Sequence, residues 1–231
     1  MIEAILFDKD GTLFDFRESW GRWALSFLGS IAADEAHLAA LSSAVGFDLA
    51  ARQFRPDSVV IAGTAFEIAE LLTPLMPGHS QESLTLLIDQ ATTKAEMVPA
   101  VPLIPLFEAL RARGLKLGVA TNDSEAPARA HLAAHGLSEL VDFIAGYDSG
   151  YGAKPEPGMC LAFAQTLGLD PARVVMVGDS RHDLSAGRAA GMRALAVLTG
   201  IAGEDDLAPH ADHLLRDIGQ IPDWLDTLAR A

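Results

Sequence analysis

Apolar residues crowd the start of the chain at Ile2, Ala4, Ile5, Leu6 and Phe7, and the run stops at Asp8. So short and continuous a run predicts a strand covered on both faces, as in a parallel sheet. The period then changes. Trp20, Trp23, Ala24, Phe27, Leu28 and Ile31 recur at helical spacing, and residues 18 to 97 read as helical throughout. A second helix is expected from Asp34, a good N-cap, through Leu38, Leu41, Val45 and Leu49, stopping near Arg55 ahead of Pro56. A third covers 58–75, and a fourth runs from the capping signal at Ser80 to near Met97. Four helices with short connections predict a small bundle. Pro99, Pro102 and Pro105 mark a stiff crossing, with Pro105 well suited to open a helix. Beyond it strands expected at 115–121, 143–146, 174–177, 194–198 and 213–215 alternate with helices from Pro105, Ser124, Gly158 and Leu184 and a last one around Trp224. That alternation predicts an α/β fold, a parallel sheet with helices on both faces.

Composition narrows the partners. The chain has 231 residues, half of them hydrophobic, enough for one large domain or a core with one insertion. Its formal net charge of -14 argues against a nucleic-acid partner or an anionic membrane surface, since neither offers a counterpart to excess carboxylate. Cys160 is the one cysteine, so no internal disulfide forms, and its place in a helical pattern predicts a buried small hydrophobe. No apolar span reaches the roughly 18 residues that a membrane helix needs. A cytoplasmic protein is the expectation.

Candidate chemistry lies where the apolar runs end. In Phe7-Asp8-Lys9-Asp10-Gly11-Thr12-Leu13 the two carboxylates sit two apart, so on an extended backbone they share a face with Lys9 opposite. Carboxylates that close repel unless a cation or proton intervenes, although Asp-Gly is also an ordinary turn former. The run Leu117-Gly118-Val119-Ala120 ends in Thr121, Asn122 and Asp123 just before a helix start at Ser124, a ready anion site. In Gly152-Ala153-Lys154-Pro155-Glu156-Pro157 the prolines are expected to hold the backbone extended and present Lys154, one of four lysines, in a fixed place. In Val177-Gly178-Asp179-Ser180-Arg181-His182-Asp183 two acids straddle a strand-to-helix junction, and N-capping explains one of them more easily than both.

Asp8 with Asp10, then Thr121, then Lys154, then Asp179 with Asp183, in that order on alternating strands and loops, resembles the four motifs of the haloacid dehalogenase superfamily of phosphohydrolases. Residues 154–200, with Lys-Pro-Glu-Pro, Gly-Leu-Asp-Pro, Val-Gly-Asp-Ser and Ala-Gly-Met, are similar to its phosphoglycolate phosphatase-like branch. The resemblance implies a Rossmann-like core of residues 1–14 and 99–231 with a helical cap, 15–98, inserted after the first strand. It implies that Asp8 is the nucleophile, giving an aspartyl-phosphate, and that Asp10 acts as acid and then base. Mg²⁺ would be held by the Asp8 and Asp179 carboxylates and the Asp10 backbone carbonyl, with Asp183 bound through water or orienting Lys154. Thr121, Asn122, Lys154 and the amides after Asp8 would hold the phosphoryl oxygens.

The implied function is Mg²⁺-dependent hydrolysis of a small phosphorylated metabolite, with phosphoglycolate the best single guess. Haloacid dehalogenases lack an acid at the position of Asp10, which favours phosphate chemistry here. Phosphonate hydrolases use a cap lysine, and Lys94 has no activating surroundings in the sequence. A sugar phosphomutase shares all these motifs and stays open, while a non-catalytic Mg²⁺-binding module should have lost one of them. Substrate discrimination falls to the cap, whose cations are Arg17, Arg22, Arg52, Arg55 and Lys94. Arg22 and Arg52 have acids four residues before them, so Arg55 is the expected reader of an anionic leaving group, unless it only complements its helix end or pairs with Asp57. Oligomeric state is not legible.

Overall fold

A computed structural model describes residues 2–230. The expected first strand forms as β1 (Ala4–Phe7), with every side chain buried. Between β1 and the next strand of its sheet lie α1 (Phe16–Ile31), α2 (Glu35–Ala44), the short strands β2 (Phe47–Asp48) and β3 (Gln53–Phe54), α3 (Ala65–Leu72), α4 (Gln81–Thr92) and α5 (Leu103–Ala112). The chain then alternates through β4 (Lys116–Ala120), α6 (Glu125–Ala134), β5 (Phe143–Ala145), α7 (Gly158–Leu167), β6 (Val174–Gly178), α8 (Arg181–Ala189) and β7 (Arg193–Val197). It closes with α9 (Glu204–Leu207), β8 (His213–Leu215) and α10 (Ile221–Arg230).

The sheet has six strands in the order β5-β4-β1-β6-β7-β8, all pairs parallel. β1 is central, and because successive side chains alternate faces, Ile5 and Phe7 enter one apolar cluster while Ala4 and Leu6 enter another. Phe7 stacks on Phe107 of α5 at a ring separation of 5.3 Å, and Leu6 shares its cluster with Phe163 of α7. Helices therefore cover both faces, the expected α/β arrangement, with a helical insertion following the first strand.

The insertion is not helical throughout. α2 ends at Ala44 because Gly46 turns the chain into the left-handed region at φ +71°, and an antiparallel pair follows with Phe47 opposite Phe54. The stretch expected as one helix over 58–75 is broken. A one-turn 3₁₀ helix (Val59–Ile61) gives way at Gly63, where a Cβ would crowd the Val59 carbonyl at 2.5 Å, and α3 restarts under a capping box of Thr64 and Glu67. Pro105 is the third residue of α5 rather than its first. The insertion packs as one apolar cluster with the sheet's own face, since Trp20, Phe27 and Leu72 belong to the cluster of Phe7 and Phe107. No helix among the described residues is long and apolar enough to cross a membrane.

Candidate active site

Three of the expected residues follow directly on neighbouring strands. Asp8 succeeds β1, Thr121 succeeds β4 and Asp179 succeeds β6, and β4 and β6 flank β1 in the sheet. The chain crosses from one side of β1 to the other between β5 and β6, so the carboxyl ends of these strands border a switch point, where open α/β sheets bind ligands. Phe7 is level with Val119 and Val177, so Asp8 stands one residue short of the height of Thr121 and Asp179.

Lys154 arrives from a turn rather than an extended segment: the Glu156 amide donates to the Ala153 carbonyl at 2.9 Å. Its ammonium is buried and donates to Asp8 Oδ1 at 2.5 Å, Asp183 Oδ1 at 2.7 Å and the Ala120 carbonyl at 2.8 Å. The two acids outweigh the burial penalty and hold its pKa above the ordinary lysine value. Asp183 also completes the N-terminal capping box of α8, its Oδ2 accepting from the Ser180 amide and hydroxyl. One acid thus serves as cap and as ion-pair partner.

Asp8, Asp179 and Asp183 are buried, with ligand oxygens within 4.8 Å of one another. Burial lifts the Asp8 carboxyl to about 7; Lys154 opposes that rise while Asp183 and Asp10 add to it. Asp179 is raised well above its ordinary value by burial, then by Asp183 and Asp8. Among the described residues Asp179 has no ion-pair partner, unlike Asp8 and Asp183. Gly11, at φ +81°, and Gly200 close over it, and a Cβ at either position would overlap its carboxylate. Crowded, desolvated carboxylates in a cradle that only glycine permits match the needs of a small oxygen-seeking cation. The Asp10 side chain stands outside this trio.

Asp10 belongs to a second cluster that the sequence did not reveal. Its Oδ1 accepts from Lys9 Nζ at 2.7 Å and from the Trp20 indole at 2.9 Å, while Oδ2 has no hydrogen bond among the described residues. Lys9 is fully buried, pairs also with Asp123 Oδ2 at 3.1 Å, and lies 3.3 Å from His131 Nδ1 and 5.3 Å from the Trp20 ring centre. The burial penalty on its ammonium is overcome by Asp10 and Asp123, so its pKa rises above the usual lysine value. Asp8 and Asp10 therefore do not share a face with Lys9 opposite: β1 ends at Phe7, the chain bends at Lys9, and its ammonium joins Asp10 and Trp20 in a pocket completed by Asp123 and His131, more than a hundred positions away. Trp20 was legible only as a core residue in a helical stripe.

Asp8, Asp10, Thr121, Asn122, Lys154, Asp179 and Asp183 all border one cleft of ≈ 620 Å³, open mouth included. Thr121 Oγ1 accepts from the Asp123 amide at 3.0 Å, leaving its own proton free to be donated. The Asn122 amide is already engaged: its Nδ2 donates to the Ala62 carbonyl of the insertion at 2.7 Å and to the Lys154 carbonyl at 2.9 Å, and its Oδ1 accepts from the Lys154 amide at 2.8 Å. The Asn122 side chain thus ties the lysine turn to the insertion. Arg55 does not join this group. It is exposed, outside the cleft lining, 3.6 Å from Asp57 and donating to the Ser43 carbonyl at the end of α2. Because α2 stops at Ala44 and β2 and β3 fold the chain back, Arg55 lands on the helix end it complements.

A family description, haloacid dehalogenase-like hydrolase, matches residues 2–191. The chain belongs to this family. Within it, a phosphoglycolate phosphatase of Rhodospirillum rubrum is 35% identical over 122 residues, 53% of this chain and 51% of that protein. The chain spans about half the length of the first curated relatives it matches. A phosphoglycolate phosphatase of Xylella fastidiosa is 30% identical over 87% of this chain and 82% of its own length. The N-acetylmuramic acid 6-phosphate phosphatase of Pseudomonas aeruginosa is 28% identical over 97% of this chain and 95% of its own. Among haloacid dehalogenase-like folds, CbbY from Rhodobacter sphaeroides, solved in complex with phosphate, superposes with a TM-score of 0.74 at 23% identity, covering 96% of each chain.

Proposed function

We propose that this protein is a Mg²⁺-dependent phosphatase that hydrolyses a small phosphomonoester through an aspartyl-phosphate on Asp8. The observation that carries the reading is the convergence of Asp8, Thr121 and Asp179 at the ends of three adjacent strands, with Lys154 bridging Asp8 and Asp183. Relatives named as phosphatases support the same chemistry.

In the first step an Asp8 oxygen attacks phosphorus, and the leaving oxygen takes a proton from Asp10 as its bond to phosphorus breaks. Asp10 Oδ2 is the group for that transfer, because Lys9 and Trp20 hold Oδ1 and fix the carboxyl's rotation. In the second step water attacks the phosphoryl group while Asp10 takes its proton, releasing inorganic phosphate and restoring both acids. Lys154 and the Thr121 hydroxyl bind phosphoryl oxygens, positioning the group and offsetting its charge. Asp8 and Asp179, with the Asp10 backbone carbonyl, would hold Mg²⁺, and Asp183 would stand behind them. The ion when bound would neutralise the crowded carboxylates and the phosphoryl group together. Residues 15–98 serve as the cap domain, and their face toward the cleft meets the part of the substrate that is not transferred.

The test is phosphate release over a panel of phosphorylated acids, sugars and simple esters, with and without Mg²⁺, for the natural protein and Asp8→Asn. The expected result is Mg²⁺-dependent turnover that Asp8→Asn abolishes. Turnover retained by Asp8→Asn would overturn the mechanism.

A further inference from the structure

The cleft also describes the alcohol that the phosphoryl group leaves behind. Besides the acids it is lined by Phe16, Trp20 and Trp23 of α1, by Val60 and Ile61 of the 3₁₀ turn, and by Ile68 of α3. Trp20 and Trp23 meet edge to face at 5.1 Å, and the Asp10 carboxylate holds the Trp20 indole. The turn is fixed too, since Asn122 binds the Ala62 carbonyl. This wall is preformed and apolar, and it continues the catalytic site rather than forming a separate groove.

None of the insertion's arginines and lysines reaches it. Arg17, Arg22, Arg52, Arg55 and Lys94 are exposed and absent from the lining. Arg17 bonds Gln53, Arg22 pairs with Glu18 and Arg55 with Asp57. Among the described residues Lys154 is the one lysine or arginine bordering the cleft, and Asp8, Asp183 and the Ala120 carbonyl take its ammonium. A carboxylate held against this wall would lose water beside tryptophan and isoleucine with no lysine or arginine to meet it, and the one histidine of the lining, exposed His182, comes from α8 rather than from the wall, so that placement is unfavourable. A hydrocarbon or ring face placed there would be favoured for the same reason.

We propose that the preferred substrates are phosphomonoesters of uncharged alcohols that present an apolar or ring face, and that carboxylate-bearing esters such as phosphoglycolate are poor ones. This inference rests on the phosphatase reading above and deepens it. Benzyl phosphate and 2-phosphoglycolate are suitable probes, since both are esters of primary alcohols and differ chiefly in the charge and apolar surface beside the reacting oxygen. With Mg²⁺ present, the natural protein should hydrolyse benzyl phosphate with a catalytic efficiency at least tenfold above that for phosphoglycolate. Ile61 is half-buried in the turn, so Ile61→Arg can extend a cation into the cleft with little disturbance of the core. It should shift the efficiency ratio at least tenfold toward phosphoglycolate, whereas Ile61→Gln, long and polar but neutral, should not. Phosphoglycolate equal to or above benzyl phosphate in the natural protein would overturn this inference while leaving the phosphatase reading intact. An unmoved ratio in a folded Ile61→Arg would overturn it as well. Absence of Mg²⁺-dependent turnover on every ester, p-nitrophenyl phosphate included, would instead overturn the phosphatase reading and this inference with it.

Discussion

Replacing Lys9 with methionine removes a cation that solvent does not reach while keeping a side chain of similar length. Two carboxylates lose their counter-ion, Asp10 at 2.7 Å and Asp123 at 3.1 Å. Deleting one partner of a buried ion pair costs about 3–5 kcal/mol, because the surviving charge stays desolvated. For a chain of this size each kcal/mol lowers the melting temperature by roughly 2–4 °C, so a drop of about 10 °C is expected. The loss should depend on pH with a definite sign. Burial already lifts Asp123 to about 6, against the pull of Lys9, and Asp10 adds to the rise. A carboxyl with a raised folded-state pKa binds more protons folded than unfolded, so stability is lost as pH climbs from the unfolded value of 3.8 through the folded one. Without Lys9 the folded value climbs further. The gap between Lys9→Met and the natural protein should therefore be wider near pH 8 than near pH 5 in thermal unfolding followed by circular dichroism. Adding Asp123→Asn to Lys9→Met should recover part of the loss, as residues of one network do not act additively. Melting within about 2 °C of the natural protein at both pH values, well inside the drop expected here, would refute the reasoning, and so would a wider gap at the acid end.

Other consequences follow from the same contacts. Mg²⁺ titration should raise the melting temperature by mass action on the folded state, and Asp179→Ala should blunt that rise. Gly200→Ala should blunt it too, because its Cβ would displace the Asp179 carboxylate; calorimetric Mg²⁺ binding checks both. His131 is held neutral with its pKa lowered to about 4, chiefly by burial and then by Lys9, so its share of stability, about 3 kcal/mol at most, is present above 6.5 and is lost as pH falls toward 4. His131→Asn should flatten that part of the pH-stability curve. Arg55→Ala should leave the kinetics of charged and neutral esters alike unchanged, whereas Asn122→Ala, by freeing the Lys154 turn from Ala62, should lower kcat on every ester.

Arg55 and Asn122 show where reading along the chain stops being informative. Arg55 was singled out by elimination among cations, a procedure that assumes the cleft must contain one. Whether it does depends on where α2 ends, and a two-residue antiparallel pair is too short to leave a period of its own. Asn122 stands beside Thr121 in sequence, and nothing local distinguishes an amide that binds substrate from one that binds Ala62 and Lys154.

The chain's own pattern determined the α/β class, the insertion after the first strand, the placement of Asp8, Thr121 and Asp179 at strand ends and that of Asp183 in the helix start that follows. These are local properties, set by an apolar period and by the residue at which it is interrupted. Folding alone decided the strand order, which makes Asp8 the neighbour of Thr121 and Asp179, and the charge of the surroundings into which each side chain is delivered. Lys9 is the clearest case. Alternation would set it opposite Asp10, yet the chain bends past the end of β1 and the two pair, and only the packing of α6 and the β4–α6 turn supplies Asp123 and His131 there, and so makes a buried cation stable. Electrostatic partnership is a matter of distance in space, and distance between segments far apart in the chain is not written in the period of either one.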